Sequence, residues 1–192
     1  MADQDPADAV RKHCWEEAFH GFATAHMFEH RAHSLRWKLR TLAFLGIAVP
    51  ASVGALVLAF GVNDSAVPVV LTIAGILSIL QLVGSIWSLT SKWEDQYAYA
   101  LQSITANHRL SDSFKELGER PPATFDELKT RAAFLDADNG HRSGLDYQQG
   151  LTDAEKRRGH RAALRQFRKK CATCSIVPDS LEPTDCGTCG KF

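Results

Sequence analysis

The residues best placed for chemistry are four cysteines. Cys171, Cys174, Cys186 and Cys189 form two Cys-x-x-Cys pairs separated by eleven residues in the stretch CATCSIVPDSLEPTDCGTCG. Four soft thiolates suit tetrahedral zinc at a closed structural site, with mononuclear iron as the alternative. Each pair grips the metal twice through a tight turn, and Pro178 and Pro183 restrict the loop between the pairs. A piece of about 20 residues has almost no core of its own, so a metal is the expected source of its order. Lys169 and Lys170 precede the first ligand, favour thiolate formation and offset the charge of a four-thiolate centre. No ligand position is left open to a substrate. With no Gly-rich phosphate loop, nucleophile motif or His-Glu metal motif, the chain reads as a non-enzyme. Cys14 stands alone, which argues against a secreted disulfide framework.

Three further groups of side chains invite a reading. His26, His30 and His33 follow one another at i, i+4 and i+7, continuing a stripe of Trp15, Phe19 and Phe22. A metal site, a pH sensor and a polar seam all fit that spacing. No acidic or Cys fourth ligand is expected on that face, which favours the seam. Lys156, Arg157, Arg158, Arg161, Arg165, Arg168, Lys169 and Lys170 fall within fifteen residues that contain no Asp or Glu. They suit an anionic lipid, a nucleic acid or an anionic nucleotide, or they form a solvated basic face beside a membrane. Few aromatics interleave with them, so sequence-specific nucleic-acid binding is not expected. Ser78, Gln81, Ser85 and Ser88 share one arc of a helix. That arc either lines a pore or assembly axis or bonds two helices together. Asp136, Asp138 and Gly140 resemble part of a calcium loop, but the glycine comes one place early and no Glu fills the twelfth position.

The elements that position these groups divide sharply. Between Thr41 and Ser91 the only charged residue is Asp64. Two uncharged segments, about 41–63 and 65–91, are each long enough to cross a hydrocarbon core of roughly 30 Å. The stretch VNDS between them predicts a turn, with Asp64 or Ser65 as N-cap. Pro68 falls in the first turn of the second helix, where it costs little. Arg31, Arg36, Lys38 and Arg40 precede the first span, Lys92 follows the second, and the turn has no Lys or Arg. The positive-inside rule places both termini in the cytoplasm, with Trp37, Trp87, Trp93 and Tyr97 as an aromatic belt on that side. The acidic start, MADQDPADAV, is unlike a signal peptide. In the first span Ala48, Ser52, Ala55 and Ala59 give a small-residue stripe for close helix approach.

Cytosolic helices are expected on either side of the hairpin. One covers 7–40. Another covers 92–117, with Tyr97, Leu101, Ile104, His108 and Leu117 on its apolar side. Two shorter helices open with capping boxes, Thr124-x-x-Glu127 and Thr152-x-x-Glu155. Phe125, Leu128, Ala132 and Leu135 form the apolar stripe of the first, and the basic run occupies the second, about Asp153 to Lys170. The stretch DADNGHRSGLDYQQG between them reads as a polar loop.

This combination resembles the SLATT-type effector domains, and more closely the mobile-element family named for the spacing C-x-x-C-x(11)-C-x-x-C. Cys171, Cys174, Cys186, Cys189 and Gly190 carry the likeness; the hairpin matches as a pattern. The resemblance implies an inner-membrane effector of a bacterial conflict or anti-phage system. Such an effector oligomerises and permeabilises the membrane when a sensor protein or nucleotide signal encoded elsewhere activates it. The reading of another class is a membrane-anchored adaptor whose basic helix and zinc knuckle bind a protein or nucleic-acid partner. The expected fold is an all-α membrane protein: a transmembrane helical hairpin extended by cytosolic helices, with a small C-terminal four-Cys zinc knuckle. Residues 1–120 hold the hairpin and its flanking helices, 121–170 a cytosolic segment ending in the basic helix, and 171–192 the knuckle. Membrane lipid and further copies of the chain are the expected partners.

Overall fold

The computed structural model describes residues 5–60 and 67–192; the stretch with Asp64 and Ser65, and the turn expected there, lies outside the described residues. Among the described residues there are five helices and no strand: α1 Pro6–Phe60, α2 Val67–Thr90, α3 Trp93–Glu119, α4 Phe125–Tyr147 and α5 Asp153–Gln166. The chain divides into two units, one of Met1–Arg31 with Ala100–Phe192 and the other of Ala32–Tyr99.

In the second unit, α1 and α2 each contain a stretch long and apolar enough to cross a membrane, and neither stretch is covered by protein. Ile47, Leu58 and Leu89 are 74%, 89% and 77% exposed. A helix that is apolar all round and left uncovered in water is unstable, so this surface calls for lipid or further protein. Pro50 lies inside α1 and removes one backbone donor from it, which membrane helices tolerate. Ser52 Oγ donates to the Ala48 carbonyl at 2.7 Å, and Ser78 Oγ to Ala74 at 2.8 Å. The helices meet closely at two glycines. The Gln81 amide nitrogen lies 2.7 Å from where a Cβ on residue 46 would stand, and Leu42 Cδ2 lies 3.1 Å from the same point at residue 84. Lys38 Nζ sits 5.2 Å from the centre of the Trp93 ring. Lys92, at φ 51°, breaks the helix between α2 and α3.

The first unit packs the start of α1 against α3, α4 and α5. One core cluster holds Cys14, Ala18, Leu110, Phe114, Leu117, Leu128 and Ala132. The expected apolar side of α3 needs correction: Leu101 is exposed, while Ala100, Ser103, Asn107, Leu110, Ser111, Phe114 and Leu117 are buried. Small residues let α1 and α3 approach closely, and Ser111 Oγ donates to the Ala18 carbonyl at 2.7 Å. At α5 the approach is closer still, because a Cβ on Gly159 would stand 2.4 Å from the Ala23 carbonyl oxygen.

The expected polar loop at 136–150 is also corrected, since α4 runs through most of it to Tyr147. Asn, Asp and Gly are poor helix formers, but tertiary partners hold them here. His13 Nε2 meets Asp136 at 2.8 Å, Asn139 donates to Glu17 at 2.8 Å, and Arg109 pairs with Asp138 at 3.1 Å. Deeper in, Asp146 accepts from Ser103 at 2.8 Å, Asn107 at 2.7 Å and Arg142 at 2.9 Å.

The Thr152 capping box that starts α5 is complete, whereas Thr124 makes one half, accepting from the Glu127 amide. Glu155 also takes Arg31 in a two-point pair, at 2.8 and 2.7 Å, while Arg31 donates to the Gln149 and Gly150 carbonyls. Burial pushes the Glu155 carboxyl up, but Arg31 and Thr152 outweigh it and hold it below the ordinary range. A depressed carboxyl contributes stability that is present above its unfolded pKa and lost as pH falls through its folded one. Glu155→Gln is therefore expected to cost about 3 kcal/mol at neutral pH, as for a partly broken buried pair. In urea titrations, the gap to wild type should close on acidification below about pH 4.3.

Candidate metal centre

After α5 the chain has no regular element, and its order comes from two cysteine turns. In the first, the Ser175 amide donates to the Cys171 carbonyl at 2.8 Å, with Ser175 at φ 57°. In the second, the Gly190 and Lys191 amides donate to the Cys186 carbonyl at 2.9 and 3.0 Å. The Thr184 amide donates to the Gly190 carbonyl at 3.0 Å, which draws that backbone over residue 190. A Cβ there would stand 2.1 Å from Thr184 Oγ1, so glycine is required after the last ligand. Thr173 and Thr188 share a hydroxyl hydrogen bond of 2.5 Å between the turns.

The four Sγ atoms lie within 4.8 Å of one another. Cys171–Cys186 is 4.0 Å and Cys174–Cys189 is 3.9 Å. A tetrahedron with metal–sulfur bonds of about 2.3 Å has edges of about 3.8 Å, close to these two spacings, so the donor set suits a tetrahedral metal such as zinc. Backbone amides of Cys189 and Thr188 pull the Cys186 thiol down to about 6. Burial pushes Cys171 up, but the amides of Cys174 and Thr173 outweigh it and the net shift is downward. Burial, then the hydrogen bond with Cys171, pushes Cys189 up to about 12. The metal-free knuckle thus offers Cys186 as a thiolate first, and a bound cation would release the proton of Cys189.

The knuckle is built into the first unit. Cys171 and Cys189, each 1% exposed, pack in a cluster with Phe19, Ala23, Ala163 and Leu164. Arg161 is buried beside them; its Nε donates to the Ser180 carbonyl at 2.9 Å and its Nη1 to the Cys189 carbonyl at 3.4 Å. The basic run is therefore not one anion-binding face. Arg161 secures the loop, Arg157 donates to the Lys191 carbonyl at 2.9 Å, and Arg158 meets the His30 ring and the Phe192 face. Lys156 pairs with Asp153 at 3.4 Å, and Arg165 and Arg168 are exposed. Nothing in the sequence set Arg161 apart from its neighbours; only its contacts in the fold do so.

The other candidate groups fall elsewhere. His26 Nδ1 meets Glu29 at 2.7 Å, and the same carboxylate meets His108 Nε2 at 3.0 Å. Glu29 is thus the acidic partner that was not expected on that face. Among the described residues the four cysteines are the only such donor group gathered for a metal. Gln81, Ser85 and Ser88 are half-buried, Ser78 is exposed, and the Gln81 amide lies against Gly46. In the small-residue stripe, Ser52, Ala55 and Ala59 are exposed and Ala48 is half-buried.

Fold and site together define an all-helical protein with two membrane-compatible helices and a C-terminal four-cysteine cluster suited to a metal. Residues 11–192 match the family described as Mobilome CxxCx(11)CxxC protein, and the chain belongs to that family. Neither a curated protein nor a solved structure matches it.

Proposed function

We propose that the protein is an inner-membrane effector of a bacterial conflict system, which oligomerises and permeabilises the membrane when a linked sensor activates it. The observation that carries the reading is the uncovered apolar surface of α1 and α2 in a chain of a mobile-element family. Two helices cannot enclose a water path, so permeabilisation requires several copies. The SLATT-like pattern adds support, as does the exposed stripe of Ser52, Ala55 and Ala59, which suits packing between hairpins. In this reading both termini are cytoplasmic, and the zinc-bearing module receives the signal.

One observation favours the adaptor. Gln81 packs against Gly46 inside the hairpin, as a residue that joins two helices would. Induced expression with a membrane-potential dye and a growth readout separates the two. Under the effector reading, wild type depolarises the cell on activation and Gln81→Leu loses most of that response while still inserting. An adaptor leaves the potential unchanged in both, and that result would remove the effector reading.

A further inference from the structure

A cleft of about 480 Å³ opens in the first unit, between α1, α3 and the end of α5. Its volume lies within the range of small-ligand sites. Trp15 and Phe22 of α1 line it together with Phe167, which closes α5. Phe167 stands edge-on to both, at 6.3 Å from Trp15 and 5.9 Å from Phe22. The rim carries Lys115, Arg168 and Lys169 against the single carboxylate Asp112. Aromatic walls beneath a cationic rim suit a ligand that has a planar ring at one end and negative charge at the other.

The backbone supplies a second, independent observation. The Lys169 amide donates to the Leu164 carbonyl at 3.0 Å and the Arg168 amide to Arg165 at 3.3 Å. This is the helix ending in which glycine usually occupies the left-handed position. Here that position is Arg168, at φ 52°. An arginine in this conformation is less favourable than glycine, and such residues concentrate at functional sites. Its consequence is a guanidinium beside Lys169 at the cleft edge. Lys169 Nζ also lies 5.0 Å from the centre of the Phe19 ring. Asp112 and Gln166 also line the cleft and offer an acceptor and an amide for the polar edge of a base.

We propose that this cleft binds a nucleoside phosphate, its base against Trp15, Phe22 and Phe167 and its phosphates at Arg168, Lys169 and Lys115. The site stands on the cleft alone and holds whether or not the hairpin permeabilises a membrane. The test is calorimetric titration of the zinc-loaded full chain in zwitterionic detergent with ATP, AMP, adenosine and pyrophosphate. ATP or AMP should bind saturably, with adenosine and pyrophosphate each at least about tenfold weaker, since each lacks one half of the recognition. Trp15→Leu should weaken nucleotide binding about tenfold, the scale of one lost base–aromatic stack. Arg168→Gly should weaken it similarly while holding or raising Tm, because glycine suits the left-handed position better. Pyrophosphate binding as tightly as ATP would reduce the site to an anion patch and overturn the proposal. So would the absence of saturable nucleotide binding up to about 1 mM, or unchanged affinity in Arg168→Gly.

Discussion

Cys189→Ser is expected to strip the metal and unfold residues 171–192, and then to loosen the α1–α5 packing as well. The wider effect follows from position. Cys171 and Cys189 are ligands and core residues at once, packed with Phe19, Ala23, Ala163 and Leu164. Apparent metal-binding free energies of structural zinc sites run at about 10–16 kcal/mol, as large as the whole stability of a typical domain. Purified protein should carry about one zinc per chain, and the variant should carry almost none. The transition of its first unit in a thermal melt should broaden or vanish, while the hairpin stays in the membrane fraction. Cys14→Ser is the control: Cys14 is fully buried but belongs to the other core cluster, with Phe114, and not to the group of four. It should keep its zinc. Full metal content in Cys189→Ser would show that other ligands hold the ion.

Asp146→Ala should be the most damaging substitution away from the metal, at about 3–5 kcal/mol, the usual cost of breaking a buried charge pair. Asp146 and Arg142 are 4% and 7% exposed. The carboxylate gathers Ser103, Asn107 and Arg142, so its loss strips three donors of the acceptor they share. Asp146→Asn should recover part of the loss by keeping an acceptor in place. Denaturant melts of the three proteins provide the comparison. If Asp146→Ala melts within about 0.5 kcal/mol of wild type, the network does not hold α3 to α4.

These two sites differ in how far the sequence exposed them. The ligand set was legible because its chemistry is local: four thiols, two fixed spacings and a glycine after the last. The two apolar helices were legible because composition alone sets them apart. The network around Asp146 was not, because DADNGHRSGLDYQQG is helical only through partners about 40 to 120 residues distant, such as Ser103 and His13. Period and propensity carry no trace of such partners. The buried side of α3 was missed for a related reason. Pattern reading favours large apolar residues such as Leu101, whereas α1 and α3 approach so closely at Ala18 that Ser111 and Asn107 are buried instead. Arg161 was hidden among like charges, and only the fold separates the cation that holds the knuckle from those that face water.

The first unit is assembled from two stretches of chain with the apolar hairpin inserted between them, and this sets an order of events during synthesis. Residues 6–31 leave the ribosome before anything can cover the face that carries Cys14, Phe19 and Phe28. Their partners, from Leu110 to Cys189, follow only after the hairpin has been made. Contacts across more than 100 residues, such as Arg31 with Glu155, close late and slowly. Until then the nascent chain carries two exposed apolar surfaces, one suited to lipid and one to its own unmade core. The four-cysteine cluster closes among the last steps, and a metal bound there would shorten the chain's most aggregation-prone interval.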